Sequence, residues 1–130
     1  MERTELIEKA KQAMEKAYAP YSGFQVGAAL LCADGTVYTG CNIENASYSP
    51  TICAERTAFA KAVSEGKRDF SAMAVCGGKG GVITGLCTPC GVCRQVMAEF
   101  CKEDFQVLLV KPDGYELRTL AQLLPDSFVL

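Results

Sequence analysis

Two short cysteine motifs constrain this 130-residue chain more than any other feature of it. One is Thr51-Ile52-Cys53-Ala54-Glu55-Arg56, in which a cysteine stands two residues before a glutamate. The other is Pro89-Cys90-Gly91-Val92-Cys93-Arg94-Gln95, a C-x-x-C behind a proline. Each falls at the predicted start of a helix. Helix N-termini carry unpaired N–H groups and partial positive charge, and both favour thiolate over thiol. Cys90 and Cys93 share one face of a helical turn. A fold in which the two helix starts meet brings three sulfurs to one tetrahedral metal and leaves its fourth position to water. A nearby acid that is not a ligand then moves protons, which is the layout of a catalytic zinc site.

The chain has no histidine. Any zinc site must therefore use thiolate or carboxylate, and neither a Ser-His nor a Cys-His nucleophile is possible. Glu55 is i+2 from Cys53 and off its face along a helix. Over a first turn that caps the site, both reach a common point, where Glu55 can take and deliver protons. Its plainer reading is a first-turn glutamate favoured by the helix dipole. Arg56, the only cation of the first motif, is the candidate to offset the excess negative charge of three thiolates. The C-x-x-C alone also suits a redox pair, or half of a structural zinc site in which the evenly spaced Cys87 supplies a further ligand.

Eight cysteines would suggest disulfides in a secreted chain, but Met1-Glu2-Arg3-Thr4-Glu5 is charged and lacks a signal-peptide core. Free thiols, metal ligands and a cytoplasmic location are expected. Cys32, Cys41, Cys76 and Cys101 lie in or beside apolar segments and read as small buried hydrophobes. A net charge of −2 argues against phosphate-driven nucleic-acid binding. No apolar run reaches the roughly 18 residues of a membrane span.

The length suits one domain over residues 1–130. Apolar residues from Leu6 to Tyr18 recur at helical spacing and predict a first helix ended by Pro20. Phe24–Cys32 and Val37–Cys41 read as strands joined by an Asp34-Gly35 hairpin. A polar loop, Asn42–Pro50, leads to a helix started at Ser49-Pro50 or Thr51 and stopped by Gly66, with Ala54, Ala58, Phe59, Ala62 and Val63 inward. Phe70–Cys76 is a third strand and Gly77–Gly85 a glycine-rich loop without a phosphate-loop pattern. Gly91–Cys101 is a helix with Val92, Val96, Met97 and Phe100 inward. Phe105–Val110 and Tyr115–Arg118 are strands, and Leu120–Leu124 a last helical turn. This order predicts an α/β fold: a three-layer α/β/α sandwich around a mixed five-stranded sheet.

Cys53-Ala54-Glu55 with Pro89-Cys90-x-x-Cys93 resembles the zinc-dependent cytidine deaminases, whose general signature is well defined. Phe24–Leu30 resembles that family's first strand, Asn42–Tyr48 its nucleoside-binding loop, and Leu123–Phe128 its C-terminal segment. The three-cysteine version is that of the small homotetrameric enzymes. The resemblance implies one Zn²⁺ per chain on Cys53, Cys90 and Cys93, with Glu55 as the catalytic acid and base. It implies ribose contacts from Asn42 and Glu44, pyrimidine contacts from Phe24 and the Ala54 backbone, and stacking by Phe128 from another subunit. Tyr48 and Arg56 would lie near a subunit contact. The implied reaction is hydrolytic deamination of cytidine and 2′-deoxycytidine to uridine and 2′-deoxyuridine with release of ammonia, in pyrimidine salvage. The implied partners are a small nucleoside and copies of the chain, not nucleic acid or membrane. The chain departs from the pattern by a longer Gly77–Leu86 loop and by Cys87. Two alternatives are a deaminase of a cytosine-nucleoside antibiotic such as blasticidin S, and a non-enzymatic structural-zinc module.

Overall fold

The structure is a computed structural model and describes residues 1–130. Its elements are α1 (Arg3–Met14), β1 (Phe24–Cys32), β2 (Val37–Cys41), α2 (Ala54–Ser64), β3 (Phe70–Lys79), α3 (Gly91–Phe100), β4 (Gln106–Lys111), β5 (Gly114–Thr119) and α4 (Leu120–Leu123). One five-stranded sheet has the order β2-β1-β3-β4-β5. Only β3 and β4 run parallel, because their connection crosses over through α3; the other neighbours are antiparallel.

Side chains of a strand alternate between faces, and the sheet sorts its core accordingly. Ala28, Leu30, Met73, Val75, Val107 and Leu109 pack with α2 and α3 on one face. Ala29, Ala74, Cys76, Leu108 and Val110 pack under Leu6, Ala10 and Met14 of α1 on the other. The predicted three layers are thus present. Strands β3 and β4 are covered on both faces, which is why they read as unbroken apolar runs rather than alternating ones.

Two glycines set how closely the helices sit. A Cβ on Gly27 would stand 2.1 Å from the Ala10 carbonyl oxygen, and one on Gly40 2.4 Å from the Ala54 oxygen and 2.6 Å from the Ala58 nitrogen. The obstacles are helix backbone, so α1 rests on bare β1 and α2 on bare β2. Gly40 thereby fixes the height of the helix whose first turn carries Glu55. The free edge of β2 is closed by α2 as well: Thr57 Oγ1 donates to the Cys41 carbonyl at 3.1 Å and the Lys61 ammonium donates to that of Thr39.

Several boundaries differ from the sequence reading. Helix α1 stops at Met14, well before Pro20, because the Tyr18 N–H bonds the Asn42 carbonyl and the Glu44 N–H bonds that of Tyr18. Tyr18 leaves the helix to run beside the Asn42 loop. Helix α2 begins only after Cys53; reciprocal hydrogen bonds between Ile43 and Ile52 keep the preceding residues extended. Strand β3 runs through Gly77 and Gly78, which were expected in a loop, because they continue the antiparallel ladder opposite Val26 and Gln25. Met97 is buried as expected, but Val92 is 58 % exposed; Cys93, one helical turn from Met97, takes the inward face of α3 in its place.

Candidate active site

Cys53 and Cys90 are the residues immediately before α2 and α3, both extended (φ −76°, ψ 154° and φ −69°, ψ 169°). Neither sulfur caps its own helix, so both are free to face one another. Cys53 Sγ and Cys90 Sγ are 3.9 Å apart, Cys90 Sγ and Cys93 Sγ 3.5 Å, and all three sulfurs lie within 4.8 Å of each other. Tetrahedral zinc with Zn–S bonds of about 2.3 Å separates its sulfurs by roughly 3.8 Å. The cluster fits that ion in donor type and in spacing.

Its electrostatics favour thiolate at Cys53. A hydrogen bond from the Cys93 thiol, supported by the Arg56 guanidinium 3.6 Å from the sulfur, brings the Cys53 pKa down to about 5. Cys93 correspondingly holds its proton, and the Cys53 sulfur raises the pKa of Arg56. Arg56 Nε is buried without a partner, so the pull of the sulfurs is what holds this guanidinium. Glu55 is the one buried charged side chain, 3 % exposed, and burial pushes its pKa up to about 7. A carboxyl poised near neutrality suits proton transfer in both directions.

The Ile43–Ile52 bridge lays the Asn42–Tyr48 loop against the residue before Cys53. Within that loop the Asn42 carboxamide is locked onto β1: Oδ1 accepts from the Val26 N–H and Nδ2 donates to the Phe24 carbonyl, each at 2.8 Å. One N–H and one lone pair remain for a ligand. Glu44 accepts from the Tyr21 and Ser22 N–H groups at 2.9 and 3.1 Å and from the Ser22 hydroxyl, and the last of these is the chief reason its pKa is lowered. Glu44 then lines a hollow of about 370 Å³ with Tyr21, Ser22, Asn45, Tyr48 and Thr51.

Phe24 is 40 % exposed at the start of β1, and a Cβ on Gly77 would stand 3.0 Å from its ring and 2.9 Å from Cys87 Sγ. Ala54 is fully buried as the first residue of α2, and Tyr48 projects outward. The structure thus gathers Cys53, Cys90, Cys93, Glu55 and Arg56; it sets Asn42 against Phe24 and Val26 of β1, and Glu44 against Tyr21 and Ser22 just before that strand. Phe128 lies elsewhere, beside α3, where Gln95 Nε2 donates to its carbonyl at 3.1 Å and its ring stands 68 % exposed. Cys87 is outside the sulfur cluster, and burial pushes its pKa up to about 12. All eight cysteines are free thiols.

Ser22, Arg94 and Gln95 escaped the sequence reading. Ser22 orients Glu44 from 22 residues away, and no periodicity marks it. Arg94 and Gln95 close the second motif in sequence, but only their partners in space give them a role.

Residues 1–109 match the cytidine and deoxycytidylate deaminase zinc-binding region. The chain is 54 % identical over 129 residues to a cytidine deaminase of Sporosarcina psychrophila, covering 98 % of this chain and 92 % of the relative. A crystal structure of cytidine deaminase from Burkholderia pseudomallei superposes with a TM-score of 0.91 at 49 % identity, over 98 % of this chain and 100 % of that one. That from Mycobacterium tuberculosis gives 0.83 at 42 % identity, over 100 % and 99 %. With identity of this order along nearly its whole length, and the three-thiol cluster in place, the chain belongs to the cytidine deaminase family of zinc-binding deaminases.

Proposed function

We propose that residues 1–130 act as one catalytic domain that hydrolytically deaminates cytidine and 2′-deoxycytidine to the corresponding uridines and ammonia, as a step of pyrimidine salvage in the cytoplasm. The observation that carries this reading is Glu55: a buried carboxyl with a pKa near 7 at the helix start that also holds Cys53. Cys53, Cys90 and Cys93 would hold one Zn²⁺ per chain. When bound, the ion acts as a Lewis acid that makes a nucleophilic water available near neutral pH.

Glu55 takes a proton from the attacking water and gives one to N3 of the pyrimidine as C4 becomes tetrahedral. Glu55 then takes a second proton, from the hydroxyl now on C4, and delivers it to the amine, which departs as ammonia as the C4 carbonyl forms and the C4–N bond breaks. Arg56 offsets the negative charge of the sulfurs. Glu44 and the free N–H of Asn42 hold the ribose hydroxyls; their own hydrogen bonds to Tyr21, Ser22 and β1 keep them rigid. Phe24 packs against the base, and the buried Ala54 backbone offers its polar atoms to it.

The exposed Phe128 ring stacks on the base in a neighbouring subunit of a homotetramer, with Tyr48 and Arg56 near the subunit contact. No helix is long and apolar enough to cross a membrane. Incubating purified protein with cytidine and following loss of its ultraviolet absorbance tests the reaction; unchanged absorbance would overturn it. Blasticidin S in a parallel assay separates the ordinary nucleoside from the antibiotic, and native mass measurement should give four chains.

A further inference from the structure

Immediately after Cys93 stand two residues whose side chains reach other elements. Arg94 Nε donates to the Pro89 carbonyl at 2.7 Å, and its Nη1 donates to the Leu123 carbonyl at 2.6 Å. The first bond holds the peptide before Cys90, and the second holds the last turn of α4. One residue on, Gln95 Nε2 donates to the Phe128 carbonyl at 3.1 Å. Leu123 and Phe128 are thus pinned to consecutive residues of one turn of α3. Between them the chain turns through Asp126, whose φ of 53° lies in the left-handed region.

From Pro125 to Leu130 the bond from Gln95 is the only hydrogen bond to the rest of the chain. Phe128 and Val129 are 68 % and 66 % exposed, so side-chain burial does little to fix that segment. Its direction therefore depends on one exposed glutamine. A planar guanidinium satisfying two carbonyls from separate segments is a rigid link, which an ammonium could not reproduce.

We infer that Arg94 and Gln95 are positioning residues that join the Cys90–Cys93 turn to the C-terminal segment, Arg94 setting the peptide that carries Cys90 and Gln95 setting the reach of Phe128. The Gln95 part rests on the reading above that Phe128 stacks on the substrate base. The same turn of α3 then serves both the metal cluster of its own chain and the aromatic lent to another.

The test is a double-mutant cycle. Gln95→Leu keeps the stem and removes the donor. One neutral hydrogen bond is worth about 0.5–1.5 kcal/mol, so KM for cytidine should rise roughly 2- to 10-fold with kcat and zinc content unchanged. Gln95→Lys, which retains a donor on a long stem, should stay near the parent KM. Phe128→Ala should raise KM by itself, and adding Gln95→Leu to it should raise KM no further, since the tether has no ring left to place. If Phe128→Ala raises KM while Gln95→Leu is silent or fully additive, the Gln95 assignment is overturned and the stacking role stands. If Phe128→Ala leaves KM unchanged, the stacking role fails and the Gln95 assignment with it. For Arg94, the folded Arg94→Lys protein should lose zinc to a chelator several-fold faster than the parent; an unchanged release rate overturns its part.

Discussion

The Arg56 guanidinium stands 3.6 Å from the Cys53 sulfur, and its Nε is buried with no partner at all. A buried polar group without a hydrogen bond is costly. On the function proposed above, that cost is offset because three thiolates on a divalent ion leave net negative charge for a fixed cation to balance. Arg56→Gln should therefore weaken zinc retention or lower kcat, and by more than a surface change would, since exposed ion pairs contribute only about 0–1 kcal/mol. Zinc content after dialysis, measured beside kcat, decides it. A variant indistinguishable from the parent in both would show that the cluster needs no compensating charge.

Glu55→Gln is close to isosteric and removes only the titrating oxygen. The fold and the zinc should be retained, and nucleoside should still bind. General acid–base assistance contributes typically ~10²–10⁴-fold, so kcat should fall at least that far. Because the same group serves several proton transfers, the loss can exceed that range. Near-normal kcat with full zinc would falsify the assignment of Glu55.

Gly40→Val tests the docking of α2. A Cβ here meets the backbone of Ala54 and Ala58 at 2.4 and 2.6 Å, and backbone cannot step aside as a side-chain end can. The helix must lift, carrying Cys53 and Glu55 away from Cys90 and Cys93. We expect a destabilisation of about 1–3 kcal/mol or more, as for overpacked cores, together with weaker zinc binding. A melting temperature and zinc content equal to the parent would show that β2 gives way instead.

Burial holds the thiols of Cys76, Cys87 and Cys101 at pKa values of about 11, 12 and 12, against about 8.5 in an unfolded chain. A folded pKa above the unfolded one means the native state keeps its proton longer. The resulting stability is fully present below about pH 8.5 and is lost as pH rises through the folded values. Thermal melts should hold steady from pH 7 to 8 and fall progressively from pH 9 to 11. At pH 8 the three thiols should resist alkylation until the protein unfolds. Cys87→Ser should keep both zinc and activity, since Cys87 lies outside the cluster; loss of zinc would restore it as a ligand.

The metal motif was legible in the sequence because it is local. Spacing put Cys90 and Cys93 on one face, and helix-start chemistry marked Cys53 and Glu55. Helical periodicity, continuous apolar runs and turn residues also located the elements, since each of these signals depends on neighbours in the chain. Boundaries failed where distant backbone intervened: the Asn42 loop draws Tyr18 out of α1, and Val26 and Gln25 extend β3 through two glycines. The burial of Glu55, and with it a carboxyl pKa near 7, exists only once α2 lies on Gly40. Nothing in the chain near Glu44 announces Ser22, and nothing near Cys93 announces Leu123 or Phe128. Those contacts depend on how far apart the sheet sets its elements, and that distance is decided by packing across the whole molecule rather than by any one segment.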